Sequence, residues 1–133
     1  MIVVDTNIIG YLYLKNLHSE RVEKLLKKDP NWIAPQLWKS ELRNVLVQYL
    51  RQNLLPLEDT LNIMEEAEWL MQDRTYEVPS WKVLEIAKAC KCSAYDCEFV
   101  VLAKEFGVPL VTVDQKILKE FSYVAVALTE FIG

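Results

Sequence analysis

The sequence predicts an α/β fold: three layers, α/β/α, around a mostly parallel central sheet of about five strands. Three observations predict it. Short apolar segments alternate with helical ones along the whole chain. The connections between apolar segments are long enough to be helical crossovers, which join parallel strands. Finally, the apolar runs Ile2-Val3-Val4 and Leu110-Val111-Thr112-Val113 each stop at an aspartate, Asp5 and Asp114. Ligands of open α/β sheets gather beyond the carboxyl ends of the strands, so both acids are expected at one edge.

Ile2-Val3-Val4 reads as a strand buried on both faces. Residues 6–15, apolar with two tyrosines, are expected to form the first helix. Ser19 is the expected N-cap of a helix over 20–28, where Val22, Leu25 and Leu26 recur at i, i+3 and i+4. Trp32-Ile33-Ala34 is the second strand, closed by Pro35. The clearest amphipath spans 36–52, with Leu42, Val45, Leu46, Tyr49 and Leu50 on one face. Pro56 marks the first turn of the next helix, which runs to about residue 73 with Leu57, Leu61, Met64, Glu68 and Met71 along one side. Residues 75–78 form a third strand before Pro79. Ser80 is expected to cap a helix to about residue 91, and Ser93 a helix over 94–106 that Gly107 ends at C′. A strand over 110–113, a short helix over 115–121 and a fifth strand over 124–127 complete the pattern. Without a linker, repeat or low-complexity tract, residues 1–133 read as one domain.

Composition narrows the function. With 52% hydrophobic residues and only 3 Gly, the 133-residue chain can bury a core and is not disordered or collagen-like. No apolar run approaches the ~20 residues of a membrane span. The N-terminus lacks the basic flank of a signal peptide, and Asp5 breaks its apolar stretch. The 3 Cys are an odd count, so reduced thiols in a cytoplasm are expected. Zinc is disfavoured, because Cys90, Cys92 and Cys97 have an unusual spacing and His18 is the only histidine. The net charge of −4 argues against a simple nucleic-acid-binding module. It leaves room for an enzyme that meets phosphate through bound cations.

Among the 19 Asp and Glu, four stand out by position: Asp5, Glu41, Asp96 and Asp114. Taken singly, each has a purely structural explanation. A strand-end Asp often begins a turn. Glu41 borders the apolar stripe of its helix and can be a solvated flank. Ser93-Ala94-Tyr95-Asp96 matches a capping box, in which Asp96 would serve only backbone N–H groups. Those explanations do not account for two strand-end acids on one sheet edge. An all-carboxylate set suits Mg²⁺ or Mn²⁺ and would repel itself without a cation. Such a centre can activate water for displacement at a phosphodiester.

At these residues the chain resembles the PIN domain family, metal-dependent nucleases that include VapC-type toxins. Val3-Val4-Asp5-Thr6-Asn7 is similar to the family's opening motif. Ala34-Pro35 with Glu41-Leu42 and Val45-Leu46 resembles the second. Ser93-Ala94-Tyr95-Asp96 with Val100-Val101-Leu102-Ala103 resembles the third, and Leu110-Val111-Thr112-Val113-Asp114 the fourth. The resemblance implies that Asp5, Glu41, Asp96 and Asp114 are the catalytic, metal-binding acids, with Mg²⁺ or Mn²⁺ as cofactor. Thr6, Asn7 and Thr112 would orient carboxylates or water. It also implies an endoribonuclease acting on RNA, the toxin of a type II toxin–antitoxin pair with an antitoxin partner, and a homodimer.

Other readings fit less well. A haloacid-dehalogenase-type phosphatase needs Asp-x-Asp, and position 7 is Asn. A receiver domain needs an acidic pair before its first loop, where this chain has Val4. A PIN-fold protein-binding scaffold with weak catalysis and a housekeeping RNA-processing nuclease stay open as alternatives. Lys82, Lys88, Lys91 and Lys116 are candidate phosphate contacts. Leu61, Met64, Trp69, Leu70 and Met71 are candidates for a dimer surface.

Overall fold

The computed structural model describes residues 1–133. In chain order its elements are β1 (Ile2–Val4), α1 (Thr6–Tyr13), α2 (Ser19–Lys28), β2 (Trp32–Pro35), α3 (Leu37–Arg51) and α4 (Leu57–Leu70). There follow β3 (Thr75–Tyr76), α5 (Ser80–Lys88), α6 (Ala94–Phe106), β4 (Leu110–Thr112), α7 (Gln115–Glu120), β5 (Ala125–Ala127) and α8 (Leu128–Ile132). The five strands form one sheet in the order β3-β2-β1-β4-β5, every pair parallel. With helices on both faces this is the expected three-layer α/β/α fold.

The strand order places the site. From β1 the chain steps to β2 and β3 on one side, then crosses to β4 and β5 on the other. The order reverses between β1 and β4, which is where open α/β sheets leave a crevice at their carboxyl ends. Val4 is in register with Val111, so Asp5 is set beside Thr112 and two residues' distance along the strand from Asp114.

The strands are short and almost wholly apolar because helices cover both faces. Val3, Val4, Ala34, Leu110 and Val111 are completely buried. Helix α6 lies across β1, β2 and β4, with α5 packed on its outer side. That double cover explains why five consecutive residues, Phe99 to Ala103, are buried rather than one stripe. Helix α1 packs on α2 and α3, and α2 on α8. Full burial of each Val, Leu, Ile or Phe side chain contributes roughly 1.5–3 kcal/mol, so this core is the main stabilising term.

Several boundaries differ from the sequence expectation, each for a physical reason. Ser19 is not an N-cap but the first residue of α2. Its hydroxyl instead accepts from the Asn16 N–H and donates to the Leu14 carbonyl, tying the turn after α1. Pro79 rather than Ser80 holds the N-cap position of α5, and that helix ends at Lys88. Strand β3 stops at Tyr76 because its partner β2 ends at Pro35, leaving Glu77 and Val78 nothing to pair with. Helix α8 was not expected; at five residues it is too short to show a period. Helix α4 is rotated from its expected stripe. It buries Thr60 and Ala67, with Met71 beyond its end, while Leu57 and Leu61 stay 60% and 59% exposed.

Candidate active site

Beyond the carboxyl ends of β1 and β4 lies a cleft of about 410 Å³, and Asp5, Glu41, Asp96 and Asp114 all line it. Each arrives from a different element. Asp5 follows β1 and caps α1, where its Oδ1 accepts from the Ile8 N–H at 3.1 Å. Asp114 follows β4 and caps α7, its Oδ1 accepting from the Ile117 N–H at 3.0 Å. Glu41 projects from the second turn of α3. Asp96 lies in the first turn of α6. The cap hydrogen bonds and positive helix ends offset part of the mutual repulsion of these acids.

Two threonines tie the acids together. The Thr6 hydroxyl donates to Glu41 Oε1 at 2.6 Å. The buried Thr112 hydroxyl donates to Asp5 Oδ2 and accepts from the Asp114 N–H. Asn7, also in the cleft, is exposed. Asp96 is not the reciprocal cap that its capping-box pattern allowed. Ser93 does the capping, its Oγ accepting from the Asp96 N–H at 3.0 Å, and the Asp96 side chain is left to the cleft.

Burial dominates the electrostatics. It pushes the Asp5 carboxyl up to about 6, with the charges of Asp114 and Glu41 adding to the rise. The Thr112 and Ile8 hydrogen bonds oppose that shift without cancelling it. Burial also raises Glu41, assisted by the charge of Asp96 and opposed by Thr6. Glu98, on α6, is raised by burial and then by Glu41. A cation in the cleft would offset the rise of Asp5 and Glu41 together. As they stand, no three Asp, Glu, His or Cys side chains are gathered tightly enough to ligate one ion. Oxygens of Asp5, Glu41 and Asp114 are engaged instead by Thr6, Thr112, Ile8 and Ile117.

The sequence reading did not single out Ser40, Asn44 or Tyr95, which also line the cleft. A signal for two of them was present: Leu37, Ser40, Glu41, Asn44 and Val45 fall at i, i+3, i+4, i+7 and i+8 of α3. The four candidate lysines are not cleft residues. Lys82 is taken up by Glu105 at 2.7 Å and lies over the Trp81 ring. All three cysteines are free thiols; burial pushes Cys92 up to about 11 and Cys97 up to about 12.

Comparison with known proteins agrees with this fold. Over 124 residues the chain is 26% identical to Ribonuclease VapC3 of Pyrobaculum aerophilum, covering 90% of this chain and 94% of that protein. Its fold is similar to the crystal structure of PAE2754 from Pyrobaculum aerophilum, with a TM-score of 0.75 at 19% identity over 98% of this chain and 92% of that one. It is also similar to FitAcB from Neisseria gonorrhoeae (TM-score 0.72, 19% identity, 97% and 99% covered). FitAB bound to an IR36 DNA fragment is similar too (TM-score 0.70, 19% identity, 96% and 95% covered). The PIN domain model matches residues 2–123. That span takes in β1 with Asp5, α3 with Glu41, α6 with Asp96 and the end of β4 with Asp114, and on it the chain belongs to the PIN domain family.

Proposed function

We propose that this protein is a Mg²⁺- or Mn²⁺-dependent endoribonuclease, the cytoplasmic toxin of a type II toxin–antitoxin pair. The observation that carries the reading is the convergence of Asp5, Glu41, Asp96 and Asp114 on one cleft whose lining contains no Lys or Arg. The donor set fits a hard cation: every candidate ligand is a carboxylate, and neither His nor Cys lines the cleft. Membership of the PIN family and the likeness to a curated ribonuclease support the choice of RNA.

In this reading residues 1–133 act as one unit, and the four acids hold the ion or ions. When bound, the metal supplies an acidified water and stabilises charge on the phosphate. The chain does the positioning. Thr112 and the Ile8 N–H fix Asp5, Thr6 fixes Glu41, and the Ile117 N–H fixes Asp114. Leu37, Val45, Phe99 and Ile117 give the cleft apolar walls, which lower the dielectric around the acids and strengthen their interactions. The antitoxin and a second copy of the chain are the proposed protein partners, with Leu54, Leu57, Leu61 and Trp69 exposed and available for apolar contact.

The deciding experiment pairs melting with cleavage. Mg²⁺ or Mn²⁺ should raise the melting temperature, because the ion binds the folded state. The same ion should be required to cut a single-stranded RNA. Asp5→Asn and Asp114→Asn should keep or raise the stability of the metal-free protein, blunt the metal response and abolish cutting. Full activity in the Asp5, Asp96 and Asp114 variants would overturn the nuclease reading. A metal response without cutting would leave a binding scaffold.

A further inference from the structure

The cleft contains acids to hold cations, but it also contains a group that neither the acids nor a metal requires. Tyr95 lines it and is 62% exposed, in the first turn of α6 immediately before Asp96. One turn further along the same side, Phe99 is buried in the cleft wall. The other strongly exposed aromatic side chains, Trp69, Trp81 and Tyr123, lie outside this lining. Around Tyr95 the remaining exposed side chains of the cleft are neutral and polar: Asn7, Ser40 and Asn44. Ser40 and Asn44 share a face of α3 at i and i+4.

A cleft with no Lys or Arg has no cationic side chain of its own to attract the phosphates of an RNA strand. Its exposed side chains suit the rest of a nucleotide. An exposed ring offers a face for an unstacked base, and free amides can bond base edges. We propose that Tyr95 is a stacking platform for one unpaired nucleobase beside the scissile phosphate, with Asn7 and Asn44 facing its edge. The inference rests on the nuclease reading above and narrows its substrate to strands whose base can turn out of the stack. In a continuous duplex that base is held between its neighbours, so paired RNA is a poor substrate.

The test uses short single-stranded RNAs with 2-aminopurine at successive positions, titrated with the full chain in Mg²⁺. At one position, binding of the wild type should change the probe's fluorescence as its base moves onto the ring. Tyr95→Ala should lose that change, and Tyr95→Phe, which keeps the π-face, should restore most of it. In cleavage, Tyr95→Ala should raise KM on the order of tenfold, the size expected for one lost stack, with a smaller effect on kcat. An abasic site at the same position should impair the wild type but not Tyr95→Ala. Because Tyr95 is mostly exposed, its variants should melt with the wild type, which separates a binding loss from misfolding. No position-specific signal in the wild type, or an unchanged KM in Tyr95→Ala, overturns the stacking role. Signal without cleavage keeps the platform and removes the nuclease, whereas cleavage abolished by Asp5→Asn but indifferent to Tyr95→Ala does the reverse.

Discussion

The Thr112 hydroxyl links the two strand-end acids, donating to Asp5 Oδ2 while accepting from the Asp114 N–H at 3.0 Å. It can do so because Val4 and Val111 are in register, which sets the residues after them side by side. One buried oxygen thus fixes the side chain of one acid and the backbone of the other. Thr112 is completely buried, so water cannot replace it.

Thr112→Val keeps the shape and removes both hydrogen bonds. Leaving buried polar partners unsatisfied costs about 1–3 kcal/mol, so the variant should unfold at lower denaturant. Asp5 should also lose the largest of the contacts that lower its pKa. Chemical denaturation at neutral pH measures the first effect, and cleavage should fall with it. Thr112→Ser should restore most of both, whereas a Val variant as stable and active as wild type would deny the link any importance.

Asp5 makes the stability of the metal-free protein depend on pH with an unusual sign. Its folded value of about 6 lies above the ordinary 3.8, chiefly through burial. The folded state therefore holds a proton more tightly than the unfolded state across that window. The cost of ionising Asp5 is fully present above about pH 6 and is relieved as pH falls toward the unfolded value. From this group alone the protein should gain about 1 kcal/mol between roughly pH 7 and pH 5. Calorimetry in a chelator checks this, and Asp5→Asn should flatten the difference. A wild type that loses stability over the same interval would contradict the burial argument.

How much of this was legible in the sequence depends on what each residue's neighbours demand. Ile2-Val3-Val4 could be read because a strand covered on both faces is apolar throughout, and Asp5 because it ends that run abruptly. Ser93 and Gly107 were legible because caps are local: Ser93 accepts from the Asp96 N–H, and Gly107 sits at φ +63°. The rotation of α4 was not, since Leu57 and Leu61 continue a plausible stripe and only packing shows that Thr60 and Ala67 face inward. Ser19 misled for a related reason. Its hydroxyl has a choice of local partners, and the preceding turn took it. For the cleft, sequence offered the acids but not Tyr95, because exposure of a tyrosine is a property of the fold.

The proposed homodimer leads to a test of the α4 surface. Leu61 and Trp69 are 59% and 78% exposed, whereas Met71 is buried and Met64 half-buried, so the contact surface is narrower than the apolar stretch suggests. Leu61→Glu with Trp69→Glu should leave the chain folded, since neither residue belongs to the core. In sedimentation the wild type should run as a dimer at micromolar concentration and the double variant as a monomer. A monomeric wild type would count against this assembly.

Ser93 and Asp96 separate capping from chemistry within one turn. Ser93 Oγ is the group that accepts the Asp96 N–H, and the Asp96 carboxylate faces the cleft. Ser93→Ala should therefore cost about 0.5–2 kcal/mol, the usual price of a lost N-cap. Asp96→Ala should cost the metal-free protein much less, because it deletes no cap and relieves the repulsion that raises Glu41. On cleavage the order should invert. Asp96→Ala should be inactive with a weakened metal-induced rise in melting temperature, while Ser93→Ala should retain activity at temperatures where it is folded. If Asp96→Ala were the less stable variant and still cut RNA, Asp96 would be a helix-end residue and the site would have only Asp5, Glu41 and Asp114.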